Sequence, residues 1–215
     1  MTSSRTLILL AVALSVGGTP ALGERPHATH DWQAPEPTLM LRASLYSIAL
    51  EKDYPGAADG AFRARDGSVL YETSRAFVAA AAIQGSARLK DGRILMIDAK
   101  VDGQARWKVS PHRYAIGALG CRLLPFKSAA VDKRLIPLGS KLTIPETRGM
   151  LLPDGTRHDG VRYAVDTGSG IKAGRIDLFV GNGNAPLKIP LNHGIGHLAP
   201  IEVHLGSAMQ GCPTA

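Results

Sequence analysis

Val165-Asp166-Thr167-Gly168-Ser169-Gly170-Ile171-Lys172-Ala173-Gly174-Arg175-Ile176-Asp177-Leu178-Phe179 sets two aspartates eleven positions apart and joins them by a glycine-rich loop. Val161 to Val165 before the loop and Ile176 to Val180 after it read as strands. An unpaired charge is costly to bury, so a carboxylate at each end of such a loop needs a reason to be there. Convergence on a substrate supplies one. Gly168, Gly170 and Gly174 permit the tight loop; a nucleotide site would need the strand–helix context that this spacing lacks.

Outward from this stretch the chain alternates between strands and turns. Leu39 to Ile48 reads as a first strand, with Leu41, Ala43, Leu45 and Ser47 on one face and Arg42, Ser44 and Tyr46 on the other. Glu51 to Gly56 turns the chain, Thr73 or Ser74 caps a short Ala-rich helix through about Ile83, and Gly85 ends it. Ala87 to Leu89 and Ile94 to Ile97 flank Lys90-Asp91-Gly92-Arg93, a hairpin signal. Ala115 to Leu124 is small and apolar, and Gly117 and Gly120 allow close backbone approach. Lys141 to Ile144 is a short strand, Pro153-Asp154-Gly155-Thr156 turns a hairpin from Glu146 to Arg162, and Ile201 to Leu205 is a last strand. Short strands, many turns and one short helix predict an all-β fold closed into a barrel, which removes free sheet edges.

Composition bounds the partners. The 215 residues suit one domain, the apolar content of 45% suits a real core, and the net charge of +7 points to an acidic partner. There is no dense Lys/Arg run and no interleaving of aromatics with basic residues, which argues against nucleic acid. Arg5, the apolar run Leu7 to Val16, and Ala21 and Gly23 before a cleavage point predict a signal peptide over 1–23. That run is too short to span a bilayer, and no cysteine follows it to carry a lipid, so no stable membrane anchor is expected. The expected layout is a linker over 24–38, a domain over 39–206 and a tail over 207–215, in an exported protein, periplasmic or extracellular. In such an oxidising compartment Cys121 and Cys212 are expected to pair. His193 and His197 are separated by Gly194-Ile195-Gly196, which does not align them on a helix, and no metal site or cofactor is expected.

A third aspartate, Asp132, opens the block Val131-Asp132-Lys133-Arg134-Leu135-Ile136-Pro137-Leu138-Gly139-Ser140-Lys141-Leu142-Thr143-Ile144-Pro145. The order VDxRxIPLGSKLxIP, then AxDTGxxIKxxRIDLFxG, resembles the three-aspartate, or 3D, domain. That domain is shared by membrane-bound lytic transglycosylase A and smaller peptidoglycan-cleaving proteins. The resemblance implies a six-stranded double-psi β-barrel with hairpin insertions, whose groove carries Asp132, Asp166 and Asp177. It implies lytic cleavage of peptidoglycan glycan strands between N-acetylmuramic acid and N-acetylglucosamine, leaving a 1,6-anhydro sugar, with Asp177 as the catalytic acid/base. The chain departs from the family pattern at Gly170, where alanine is usual, and at Ala173, where glycine is usual. A longer hairpin separates Asp132 from Asp166, and His193 to His197 stands where Trp-Gly-Arg is often found.

The chemistry fits these residue types. In a lytic reaction the sugar's own C6 hydroxyl attacks, so one residue can act first as acid and then as base. That residue must hold a proton near neutral pH, and two neighbouring carboxylates, Asp166 and Asp132, would raise the pKa of Asp177. Candidate substrate contacts are Gly168 in the loop, Tyr46 as a sugar platform or a packed rim residue, and Lys172 and Arg175 as partners for peptide-stem carboxylates or as solvated loop charges. Ser140 and Ser169 lack a His–Asp partner pattern. Three other readings stand beside this one. Asp166-Thr167-Gly168-Ser169 matches the aspartic-protease tetrapeptide, an expansin-like barrel can bind polysaccharide without cutting it, and two carboxylates can run ordinary hydrolysis with water.

Overall fold

The computed structural model describes residues 37–214. The expected signal peptide and most of the linker lie outside the described residues. Among the described residues there are eleven strands: β1 (Thr38–Leu50), β2 (Gly60–Arg63), β3 (Val69–Thr73), β4 (Ser86–Arg88), β5 (Ile94–Val101), β6 (Gln104–Val109), β7 (Ser128–Val131), β8 (Ser140–Thr143), β9 (Val161–Asp166), β10 (Arg175–Asn182) and β11 (Ala199–Ala208). Six of them close a barrel in the order β1-β10-β7-β9-β8-β11 and back to β1. β1 runs parallel to β10 and β7 parallel to β9; the other neighbours are antiparallel. The all-β, six-stranded barrel expected from the sequence is the observed fold.

Alternation decides what faces where. On β1, β10 and β11 the side chains of Leu41, Ala43, Ile176, Leu178, Ile201 and Val203 fill the barrel. Their neighbours Ser44, Tyr46, Asp177 and Phe179 therefore point to the outer surface. The far half of β1 leaves the barrel and pairs with β4, which begins a three-stranded extension β4-β5-β6. A second apolar layer, including Tyr46, Ala130, Val165 and Phe179, lies between barrel and extension.

Helix α1 (Arg75–Gln84) is capped by the Ser74 hydroxyl, which accepts from the Phe77 amide, and ends at Gly85 with φ +82°. Phe62 on β2, Phe77 on α1 and Trp107 on β6 pack edge to face and back the extension. A second short helix, α2 (Lys188–Asn192), adds to the one expected. The β2–β3 and β5–β6 hairpins are also additional; the latter turns at Asp102 (φ +49°) and Gly103 (φ +76°). The expected hairpin from Glu146 to Arg162 is mostly irregular, with a single bridge between Leu151 and Arg157. Backbone bonds still cross it, from the Gly149 amide to the His158 carbonyl, the His158 amide to the Met150 carbonyl and the Leu152 amide to the Thr156 carbonyl. His158 is buried, its ring bonding the Phe126 carbonyl and the Gly160 amide. β11 continues to Ala208, two residues past the expected domain boundary. Cys121 and Cys212 are disulfide-bonded, tying the C-terminal segment to the 115–124 segment. Among the described residues no helix is long and apolar enough to cross a membrane.

Candidate active site

Asp177 and Asp166 lie in one row on the outer face of the barrel. Ala130 on β7 is the register partner of Asp177 on β10 and of Asp166 on β9. Two strand spacings separate the aspartates, about 10 Å between backbones. The intervening side chain is a methyl group, so nothing tall stands between them. All three residues line a cleft of about 770 Å³ between barrel and extension.

The two carboxyls are held differently. Asp166 accepts three hydrogen bonds: from the Tyr46 hydroxyl (3.0 Å), the Ala118 amide (3.0 Å) and its neighbour Thr167's amide (2.8 Å). Burial raises its pKa and these donors to the charged form pull it back. The Ala118 donor comes from a turn pressed against β9. A Cβ on Gly117 would lie 2.5 Å from the Val165 carbonyl oxygen, so glycine is required there. Asp177 has no comparable support. Its Oδ1 is buried with no hydrogen-bond partner. Ser44, its register partner on β1, donates to the Ile176 carbonyl at 3.4 Å. Burial pushes the Asp177 carboxyl up to about 6, against the pull of the Ser44 hydroxyl and the Arg175 charge, and Asp166 adds a smaller push.

Asp132 sits elsewhere. Its carboxylate is forked by the Arg134 guanidinium (3.0 and 2.8 Å) and accepts from the amides of Arg134 (3.1 Å) and Ala173 (3.3 Å). Arg134 holds it well below the usual carboxylate range. It is not among the residues lining the cleft, and it is not among the charges that move the Asp177 pKa. This corrects the expectation that Asp132 joins Asp166 in raising that pKa: its charge is already satisfied locally, and burial is the main cause instead.

The expected substrate contacts divide as well. Gly168 lines the cleft. Tyr46 does too, but as a buried ring packed on Phe179 at 5.1 Å with its hydroxyl on Asp166. Lys172 is exposed and Arg175 half-buried, and neither lines the cleft. Sequence reasoning missed Ala118, Ala130, Lys100 and Gln84, all on the cleft. Gln84 has a structural signal: its Oε1 accepts the Ser47 amide at 2.7 Å, at the irregularity in β1 next to Tyr46. Among the described residues no group of three His, Cys, Asp or Glu side chains is arranged to hold a metal.

A family profile described as the 3D domain matches residues 127–189, the segment that contains β7 to β10 and the three aspartates. Among solved structures, Escherichia coli MltA with bound chitohexaose is similar at TM-score 0.57 and 14% identity, over 79% of this chain and 72% of that one. A membrane-bound lytic murein transglycosylase from Agrobacterium tumefaciens matches at TM-score 0.47 and 16% identity, covering 78% of this chain and 73% of that one. The lytic transglycosylase LtgG of Burkholderia pseudomallei matches at 0.46 and 17%, covering 78% and 71%. No curated protein matches the chain by sequence. Both motif blocks thus lie on adjoining strands of a barrel similar in fold to that of MltA, and the segment that carries them, residues 127–189, is similar to the 3D domain.

Proposed function

We propose that the protein is a peptidoglycan lytic transglycosylase that cleaves the β-1,4 bond from N-acetylmuramic acid to N-acetylglucosamine, with Asp177 as acid and base. The observation that carries this reading is Asp177 on an open cleft with its Oδ1 buried and without a hydrogen-bond partner, where burial pushes the carboxyl up to about 6. Asp177 donates its proton to the glycosidic oxygen as the C1–O bond breaks. The resulting carboxylate then takes the proton of the C6 hydroxyl as O6 bonds to C1. The sugar ring closes on itself, no water is consumed, and Asp177 ends protonated. Asp166, whose charged form three donors support against the upward push of burial, faces the positive charge that builds at C1.

The protease reading fits this geometry less well. Such a protease would share a proton between Asp166 and its copy in a second subunit, which leaves Asp177 unexplained, and Asp166 already accepts three hydrogen bonds within the chain. Digestion of purified peptidoglycan tests the proposal, with products read by mass spectrometry. Wild type should release anhydro-muropeptides, lighter by one water than hydrolytic products, and Asp177→Asn should release none. Hydrolytic products, binding without cleavage, or retained activity in Asp177→Asn would overturn it.

A further inference from the structure

The two walls of the cleft carry opposite charge. The barrel contributes Asp166 and Asp177, and the extension contributes Lys100 and Lys108. Lys108 pairs with Asp98 at 3.1 Å, but Asp98 also pairs with Arg65 at 2.9 Å, so one carboxylate serves two cations and the trio keeps a positive charge. Lys100 has no carboxylate within ion-pair reach among the described residues. Its ammonium reaches across the cleft to the Ser169 hydroxyl at 3.4 Å, three residues beyond Asp166. A neutral hydroxyl at that distance satisfies one donor and leaves the charge uncompensated. The same wall offers apolar contact at Met96, Ile97, Pro111 and the highly exposed Ile83.

We propose that this wall reads carboxylates carried on the glycan's substituents, with Lys100 as the residue that pairs with them. The inference rests on the glycan-cleavage reading for the sugar chain and on the wall's charge for the substituent. A neutral glycan would meet the apolar contacts but leave Lys100 facing Ser169. A strand bearing carboxylated stems gives Lys100 a charged partner near Asp166, while its rings lie along the cleft floor. The cation for this role is thus Lys100 on β5, in place of the Lys172 and Arg175 that the sequence suggested.

The test measures binding to Asp177→Asn protein, so that ligands survive, using a four-sugar glycan with free stem carboxyls, the same glycan amidated, and a neutral N-acetylglucosamine tetramer. Calorimetry should give about fivefold tighter binding to the carboxylated glycan than to the amidated one, the size of an exposed ion pair. The preference should shrink at high salt. Lys100→Met should abolish it and leave affinity for the neutral tetramer unchanged, and Lys100→Arg should retain it. Equal affinity for carboxylated and amidated glycans, or a preference that survives Lys100→Met, would overturn the proposal. Absence of anhydro products from wild type, with the preference intact, would sink the cleavage reading and leave this one standing.

Discussion

Replacing Asp177 by asparagine should stabilise the fold at neutral pH and not at acid pH. An ordinary aspartate ionises near 3.8, whereas Asp177 ionises at about 6. Each pH unit between them is worth about 1.4 kcal/mol, so ionising Asp177 in the folded chain costs up to about 3 kcal/mol. Below pH 4 the carboxyl is protonated in folded and unfolded chains alike and nothing is lost. Between 4 and 6 the folded chain binds more protons than the unfolded one, so wild-type stability falls as pH rises. Above 6 the full cost is present. Asparagine cannot ionise, and the change keeps the side chain's size. The gain of Asp177→Asn over wild type should therefore grow by up to about 3 kcal/mol between pH 4 and pH 7.5, a melting shift of up to about 10 °C for a domain of this size. Urea and thermal unfolding of both proteins at the two pH values measure it. Comparing the gains at two pH values cancels whatever the new amide group does to packing. A gain that is the same at both pH values would refute the reasoning, because burial of a titrating carboxyl would then not be the source.

Tyr46→Phe removes one of three donors to Asp166 at a cost of about 1 kcal/mol in stability. With less support for the charged form the Asp166 pKa rises, so the acidic limb of the pH–rate profile should move to higher pH and activity on peptidoglycan should drop about tenfold; an unmoved limb would show that Tyr46 only packs. Gly117→Ala places a methyl group 2.5 Å from the Val165 carbonyl and 2.9 Å from Leu123. It should destabilise by about 1–3 kcal/mol and withdraw the Ala118 amide from Asp166, which unfolding curves and the same pH–rate profile would report together.

Local chemistry was legible in the chain, and long-range pairing was not. Ser74 and Gly85 mark the ends of α1 because a hydroxyl cap and a left-handed glycine act within one turn. Asp166 and Asp177 were readable as strand-end residues for a similar reason. The row they form with Ala130 was not, since it requires β7 to insert between β9 and β10 with parallel pairing to one and antiparallel to the other. Nothing in the spacing of residues 130, 166 and 177 encodes that. The Tyr46–Asp166 bond spans 120 residues and has no sequence signal. Strand β6 was missed although Asp102-Gly103 is a hairpin dipeptide; Lys and Arg among its residues mask the alternation that buries Trp107.

Asp132 is bonded within its own turn and to the loop before β10. Three aspartates in one family pattern suggest three carboxylates in one groove, yet Arg134 stands two residues away, close enough to claim the first of them. What remains for Asp132 is the loop. Its second oxygen accepts the Ala173 amide, and Ala173 has φ +36°, a conformation that favours the glycine usual at this point. One residue on, the Gly174 carbonyl accepts the Arg42 amide at 2.7 Å, and β10 begins in register, Arg42 with Arg175 and Ser44 with Asp177. A one-residue slip in that register would turn Asp177 into the barrel and push Ile176 out to the cleft. The contacts of Asp132 with Ala173 and of Gly174 with Arg42 sit where such a slip would start. Under the proposed function, one aspartate then sets the register of the strand that carries the proton donor, a second, with three donors on its carboxylate, faces the developing positive charge, and the third gains and loses the proton.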